Sequence, residues 1–197
     1  MNKIKEFETE INYIKNDDIK SDLIAMIEHI PSYFFVIAAS STGKYHPPFV
    51  QGEGGLLRHT KFAVKIAYDL LSTEMFSEKF TEKDKDLIIY SLIMHDSFKC
   101  GRVQEQYTKL EHPLIAAEEI IKNSTLEEKE LIASMIRSHM GQWNKDRDGI
   151  EVLPKPKTEY EKFVHMCDFL ASRRYLDSKF IGNEIEEYES RRNYVRS

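Results

Sequence analysis

The sequence is poor in the features that mark secreted or membrane proteins. It has two cysteines in 197 residues, Cys100 and Cys167, which are far apart and form no CxxC pair. Free thiols in a reducing compartment are therefore expected. The longest apolar runs, such as residues 33–39 and 87–94, are far too short to span a bilayer. Residues 1–16 are charged throughout and do not resemble a signal peptide. A cytoplasmic protein without a membrane segment is predicted.

The chain also lacks an excess of basic residues. It has 28 Lys and Arg against 33 Asp and Glu, a formal net charge of −5. Extended nucleic acid binding requires a broad basic surface, so that class of function is disfavoured. A small phosphorylated substrate remains compatible with this charge, because a metal and two or three local cations suffice to capture one. No oligomeric state is predicted.

The sequence contains no internal repeats, no low-complexity tracts and no convincing alternating strand pattern. The spacing of apolar residues predicts helices over residues 3–15, 18–29, 56–70, 85–96, 126–140 and 159–174, with another beginning at His112-Pro113. Residues 40–55 and 141–157 are predicted to be long loops, and the tail from residue 183 a solvated helix or frayed end. These patterns predict an all-α bundle of about six to eight helices.

Six histidine and aspartate side chains lie in or beside these apolar helices. They are His59, His95, Asp96, His112, His139 and Asp168. A single buried histidine is more often a hydrogen-bonded core residue than a ligand. Apolar helices do not need six such groups in order to pack, and a divalent metal would satisfy all of them. Imidazole and carboxylate together suit zinc, manganese, iron or nickel. The sequence therefore predicts a metal site in the centre of the bundle.

The order H…HD…H…H…D and its local contexts resemble the HD-domain superfamily of metal-dependent phosphohydrolases. The matching segments are residues 54–60 (GGLLRHT), 92–99 (LIMHDSFK), 111–115 (EHPLI), 137–140 (RSHM) and 165–170 (HMCDFL). The first and last are similar to the HD domains of bacterial 3′–5′ exoribonucleases. The resemblance implies one HD domain over residues 1–197, with a core at about 54–174. Residues 1–31 and 183–197 would flank that core.

The resemblance also implies roles for these residues. His59, His95, Asp96 and Asp168 would hold a first metal, and Asp96 would bridge to a second ion held by His112 and His139. One or two divalent ions, Mn, Fe, Ni, Zn or Mg, are expected. Asp96 and Lys99 would be catalytic: the implied reaction is attack on phosphorus by a metal-bound hydroxide, with Lys99 neutralising the phosphoryl group. An ordinary solvated lysine is the alternative for Lys99.

Two local departures from the superfamily pattern narrow this expectation. Many superfamily members have the motif HDIGK, whereas residues 95–99 of this chain are HDSFK, which retains the lysine as Lys99. Many relatives also have two consecutive histidines where this chain has His139 and Met140. No GYP-type motif is present, which disfavours cyclic-di-GMP hydrolysis. No appended nucleic-acid-binding domain is recognisable, which weakens an exoribonuclease role.

Substrate-binding candidates lie in the two loops and beside His59. They are Lys44, His46, Arg58, Trp143 and Lys145. Lysine among glycines suggests a phosphate-binding loop without being a P-loop, and tryptophan suits stacking on a base. Ordinary solvated loops are an equal alternative. His29 and His165 are predicted to have no role, and residues 184–189 to form a solvated acidic face.

The leading hypothesis is hydrolysis of a phosphoester or phosphoanhydride in a nucleotide or a short nucleic-acid end. A di-iron oxygenase is the first alternative, because the same ligands serve both chemistries. A non-catalytic nucleotide-binding module is the second. The intact ligand set argues against that module, and Lys99 favours phosphate chemistry.

Overall fold

The computed structural model describes residues 1–40 and 46–186. In this part of the chain the α-helices are α1 (Lys3–Glu6), α2 (Glu8–Tyr13), α3 (Asp17–Glu28), α4 (Gly55–Leu71), α5 (Glu74–Ser77), α6 (Glu82–Met94), α7 (His112–Asn123), α8 (Lys129–Ser138) and α9 (Glu159–Ala171). Short 3₁₀ helices occupy Ser32–Phe35 and Pro48–Val50, and strands β1 (Phe180–Ile181) and β2 (Glu184–Ile185) pair antiparallel. The all-α prediction is confirmed.

Helix α6 is the centre of the bundle because it is apolar on nearly all sides. Its residues from 86 to 94 are all buried, and it contacts α2, α3, α4, α8 and α9. A capping box between Thr81 and Asp84 fixes its start. The helix ends at Met94, and the next two residues, His95 and Asp96, are fully buried in the core.

One contiguous hydrophobic core runs from Phe7 to Ala171 within the described residues. Helices α2 and α3 share this core with α4 and with α6 to α9. The single-domain organisation of the whole chain stays a prediction. No helix in the described ranges combines the length and apolar character needed to cross a membrane.

The first predicted helix, residues 3–15, is wrong as a single element because Phe7 interrupts it. Phe7 has φ −112° and ψ 16°, and its fully buried ring packs 6.0 Å from the rings of both Phe34 and Phe35. Burying this ring turns the chain between α1 and α2. Helical periodicity alone does not show such a break.

Glu184, in the segment 184–189 that was predicted to be a solvated acidic face, is half exposed but also forms a tertiary ion pair. Glu184 lies in β2, and one of its carboxylate oxygens is 2.5 Å from Nζ of Lys61, a fully buried residue of α4. The Lys61 Nζ is also 3.2 Å from the buried carboxylate of Glu10 in α2. Burial raises the pKa of Glu10 despite the charge of Lys61. These contacts attach the hairpin and α2 to the helix that carries His59, while residues 187–197 lie outside the described part.

A second buried carboxylate, Asp22, connects α3 to α6 and to the α7–α8 connection. Its Oδ2 accepts hydrogen bonds from Tyr90 Oη (2.7 Å) and Ser124 Oγ (2.8 Å). Its Oδ1 accepts from Thr125 N (2.7 Å) and Thr125 Oγ1 (2.9 Å). Burial opposes ionisation, but the hydrogen bonds from Tyr90, Thr125 and Ser124 outweigh it and lower the pKa of Asp22. This carboxylate is therefore a structural connection.

We expect Asp22→Ala to lower the free energy of unfolding by about 3 kcal/mol at pH 7, because buried donors lose their acceptor. A lowered native-state pKa contributes stability above the unfolded-state pKa of about 3.9, and that contribution is lost as the pH falls through the native-state value. The difference between wild type and variant should therefore shrink below about pH 4. Urea unfolding from pH 7 to pH 3 measures it. A difference independent of pH would contradict the assignment.

Candidate metal centre

The loop before α4 is fastened to the start of that helix and thereby positions His59. Backbone amides of Gly54 and Leu56 donate to the carbonyls of Val36 (3.1 Å) and Ile37 (2.9 Å). A Cβ at Gly55 would lie 2.0 Å from the carbonyl oxygen of Val50, so glycine permits this approach. His59 follows one turn later with its ring buried.

The other five candidate ligands come from the ends of four helices that meet in the core. His95 and Asp96 follow the last residue of α6, His112 is the first residue of α7, His139 caps the C-terminus of α8, and Asp168 lies in the last turn of α9. All are fully buried except Asp168, whose side chain is 16% exposed. The structure thus brings all six predicted residues together.

Distances divide these six residues into two overlapping groups around Asp96. In the first group, His59 Nε2 is 2.9 Å and His95 Nε2 is 3.5 Å from Asp168 Oδ1. Asp96 Oδ2 is 3.8 Å from His59 Nε2 and 3.5 Å from His95 Nε2.

In the second group, Asp96 Oδ1 is 2.9 Å from His112 Nε2 and 3.6 Å from His139 Nε2. The donor atoms of His59, His95 and Asp168 lie within 4.8 Å of one another, as do those of His95, Asp96 and His139. The two carboxylate oxygens of Asp96 therefore point to different groups.

Backbone carbonyls define the tautomers of three of these histidines. Nδ1 of His95 is 2.6 Å from the Leu92 carbonyl oxygen, and Nδ1 of His112 is 2.6 Å from that of Lys109. Nδ1 of His139 is 2.8 Å from the carbonyl oxygen of Ile136. A carbonyl oxygen only accepts, so each Nδ1 carries a proton, and each of these rings in its neutral form presents an Nε2 lone pair. This arrangement orients histidines as metal ligands.

The Nε2 atoms of these histidines and the carboxylate of Asp96 face one another, and few hydrogen-bond donors lie among them. His112 Nε2 is 3.3 Å from His139 Nε2, although both are acceptors in these tautomers. His95 Nε2 and Asp96 Oδ1 have no hydrogen bond of acceptable geometry among the described residues. Buried acceptors that face one another are costly unless a cation lies between them. The donor set therefore fits a divalent metal.

The charge state of the two carboxylates matches this interpretation. Burial opposes ionisation of Asp96, but Lys99 and His95 hold its pKa well below the usual range. Burial also opposes ionisation of Asp168, and the neighbouring His59 and His95 hold its pKa well below the usual range. Burial lowers the pKa of His139 to about 4, so that ring is neutral at pH 7. Anionic carboxylates and neutral imidazole are the forms that bind metal.

A cavity of about 420 Å³ opens directly above this cluster. Its walls include His59, His139 and Asp168 together with Ala39, Ser40, His46, Lys99, Thr108, Met140, Trp143, Ser172 and Arg173. Lys99 donates from Nζ to Asp96 Oδ2 at 2.5 Å. Burial and the neighbouring His59 and Lys99 lower the pKa of His46 to about 4. The cavity has the size of a small-ligand site with the metal cluster as its floor.

Only some of the predicted substrate-binding residues line the cavity. His46 and Trp143 line the cavity, and Lys44 lies outside the described residues. Arg58 points away from the cavity: Nε donates to the Phe49 carbonyl, Nη2 to the carbonyls of residues 51 and 53, and Nη1 to Asn183 Oδ1. Lys145 is exposed in an isolated bridge with Glu151 and is not among the cavity walls. The structure supports no substrate contact for Arg58 or Lys145.

Three residues that sequence reasoning missed also lie at the site. His165, expected to have no role, places Nδ1 2.6 Å from the His139 carbonyl oxygen and fills the space beside Gly141. It is three residues before Asp168 on α9, a spacing that places both on one helix face. Phe169 stacks on Trp143 and contacts Arg173, which lines the cavity. His165 and Phe169 lie in the matching segment 165–170, but only Asp168 was singled out there, and Arg173 lies outside every matching segment.

Fold and site together define an all-α protein with a buried histidine–aspartate metal cluster at the base of a cavity. The sequence model of the HD-domain family matches residues 56–172, a range that includes all six residues of the cluster. The chain therefore belongs to the HD-domain family, whose members are generally metal-dependent phosphohydrolases. A search of curated proteins found no match, and a search of solved structures found none either.

Proposed function

We propose that this protein hydrolyses a phosphoester or phosphoanhydride bond of a nucleotide or a short oligonucleotide end, using divalent metal. The observation that carries the proposal is the convergence of unsatisfied nitrogen and oxygen lone pairs at the floor of a cavity that also contains Lys99. Family membership supports the reaction class, because HD-domain proteins are generally metal-dependent phosphohydrolases.

We assign two metal positions that share Asp96. His59, His95, Asp96 and Asp168 would hold one ion; Asp96, His112 and His139 would hold the other. The separate orientations of Oδ1 and Oδ2 of Asp96 support this division. Bound divalent ions would supply Lewis acidity toward phosphoryl oxygens and a supply of nucleophilic water at neutral pH.

Lys99 is the residue we assign to the phosphoryl group. Its side chain is 13% exposed, it lines the cavity and its Nζ contacts Asp96. Once Asp96 is shared with metal, the Lys99 ammonium is available to neutralise a phosphoryl oxygen. His46, which is neutral at pH 7, also lines the cavity and could contribute a ring nitrogen to substrate binding.

Turnover against a substrate panel tests the proposal. The panel contains nucleoside mono-, di- and triphosphates, dinucleoside polyphosphates, cyclic nucleotides and short DNA and RNA oligomers, each with Mn²⁺, Fe²⁺, Mg²⁺ or Ni²⁺. Asp96→Ala is the blank. We expect metal-dependent release of phosphate or nucleotide by the wild type alone. No turnover with metal still bound would contradict the proposal. Oxygen consumption with iron would then indicate an oxygenase, and tight nucleotide binding a sensor.

Lys99→Met should lower kcat/KM for the preferred substrate about 100-fold, because one positive group near the developing charge is lost. Metal content should stay unchanged, since Lys99 is not a ligand. Lys155→Met, which removes an exposed lysine paired with Glu151, is the matched control and should keep full activity. Equal kcat/KM for Lys99→Met and wild type would remove Lys99 from the mechanism.

A further inference from the structure

Trp143 and Arg173 line the cavity next to each other, and both contact the ring of Phe169. The rings of Trp143 and Phe169 are nearly parallel, with an interplanar angle of 18° and centroids 5.7 Å apart. The guanidinium carbon of Arg173 lies 4.3 Å from the Phe169 centroid and 5.5 Å from that of Trp143. Arg173 therefore covers both rings and interacts with them as a cation–π group.

Local hydrogen bonds fix the orientation of this guanidinium. Nε of Arg173 donates to the Phe169 carbonyl and to Ser172 Oγ, both at 3.2 Å, and Nη2 donates to Ser172 Oγ at 2.7 Å. Nη1 has no hydrogen bond, and no carboxylate pairs with Arg173, within the described residues. A guanidinium held on one edge and stacked on one face presents its other face and edge without reorganisation.

Arg58 and Arg102 differ from Arg173, because their guanidinium groups are already paired. Arg58 is occupied by backbone carbonyls and Asn183. Arg102 forms salt bridges with Glu118 and Glu119. Arg173, by contrast, lines the cavity above the metal cluster, as does Trp143, which is 43% exposed.

We propose that Trp143 and Arg173, supported from behind by Phe169, form a stacking platform for the nucleobase of the substrate. This inference rests on the proposed function and narrows it: the substrate is a nucleoside phosphate or oligonucleotide end, and non-aromatic sugar phosphates are poor substrates. Bases stack both on aromatic rings and on arginine guanidinium planes. A base on this platform leaves its phosphate directed to the cavity floor, where Lys99 and the metal ligands lie.

The chain offers a direct signal for this contact, because Trp143 is its one tryptophan. We would titrate wild-type protein in chelator with nucleoside monophosphates and with ribose 5-phosphate, and record tryptophan fluorescence. Saturable quenching by the nucleotides alone is expected. Arg173→Lys keeps the charge and loses the plane, and should raise the Kd about tenfold, within the 1–3 kcal/mol of a stacked base. Arg174→Lys, an exposed neighbour, is the matched control.

Steady-state kinetics with Mn²⁺ give a second measurement. Arg173→Lys should raise KM for the nucleotide about tenfold with little change in kcat, and leave kcat/KM for ribose 5-phosphate unchanged. Equal affinity for ribose 5-phosphate and nucleotides, or wild-type KM in Arg173→Lys, would overturn the platform even if hydrolysis occurs. Selective quenching without any hydrolysis would support the platform and reject the proposed function.

Discussion

Asp96→Asn is expected to eliminate binding of divalent metal and to reduce turnover by at least about 1,000-fold. Its two carboxylate oxygens face different histidine groups, so one substitution weakens both metal positions. An amide keeps the volume but removes the negative charge and one of the two oxygens, and neither neutral imidazole nor Asp168 replaces them.

Metal content after dialysis and the metal-induced shift in Tm measure this effect without relying on activity. A ligand that binds only the native state stabilises it by about 2.7 kcal/mol at a hundred times its Kd. Wild type should therefore melt higher with Mn²⁺, and Asp96→Asn should melt at the same temperature with or without it.

The matched control for Asp96→Asn is another buried aspartate of the same region. Asp86 of α6 accepts hydrogen bonds from the amides of Lys15 and Asn16 and lies outside the metal cluster. Asp86→Asn should lose stability and retain the metal-induced shift. A full metal-induced shift in Asp96→Asn would show that Asp96 is not the shared ligand.

The metal cluster was predictable from sequence because its residues are unusual where they occur. Histidines such as His95 and His139 end strongly apolar helices, and helix ends meet in a bundle, so their convergence follows from periodicity and burial cost. The all-α class followed from the same periodicity. The local sequence pattern was therefore sufficient to predict the residues that form the floor of the cavity.

The walls of the cavity were less predictable, because tertiary hydrogen bonds decide which cation faces it. Arg58 precedes a ligand directly, but its donors are taken by carbonyls of the preceding loop. Arg173 carries no motif and reaches the cavity because Phe169 and Ser172 hold it. Likewise, the contact between Lys61 and Glu184 joins residues 123 positions apart. No local pattern encodes such pairings.

Gly55→Ala is expected to lower the free energy of unfolding by about 3 kcal/mol, the upper range for overpacking. Glycine to alanine in a helix normally stabilises it by about 1 kcal/mol. Here the new Cβ would lie 2.0 Å from the oxygen and 2.6 Å from the carbon of the Val50 carbonyl. Both are backbone atoms, so they cannot move away by changing a rotamer. The Val50 oxygen also accepts a hydrogen bond from the Ala39 amide.

Gly52→Ala is the control that separates crowding from backbone strain. Gly52 has φ +74°, but a Cβ there meets nothing within 4 Å, so only the left-handed conformation costs energy, about 1–2 kcal/mol. Urea unfolding of both variants measures the difference, and equal losses would contradict the crowding argument. Displacement of Val50 would also disturb Ala39, which donates a hydrogen bond to the Val50 carbonyl and lines the cavity with His59. Gly55→Ala should therefore raise KM as well as lower stability, whereas Gly52→Ala should leave KM unchanged, because the same close contact that starts α4 also shapes the cavity.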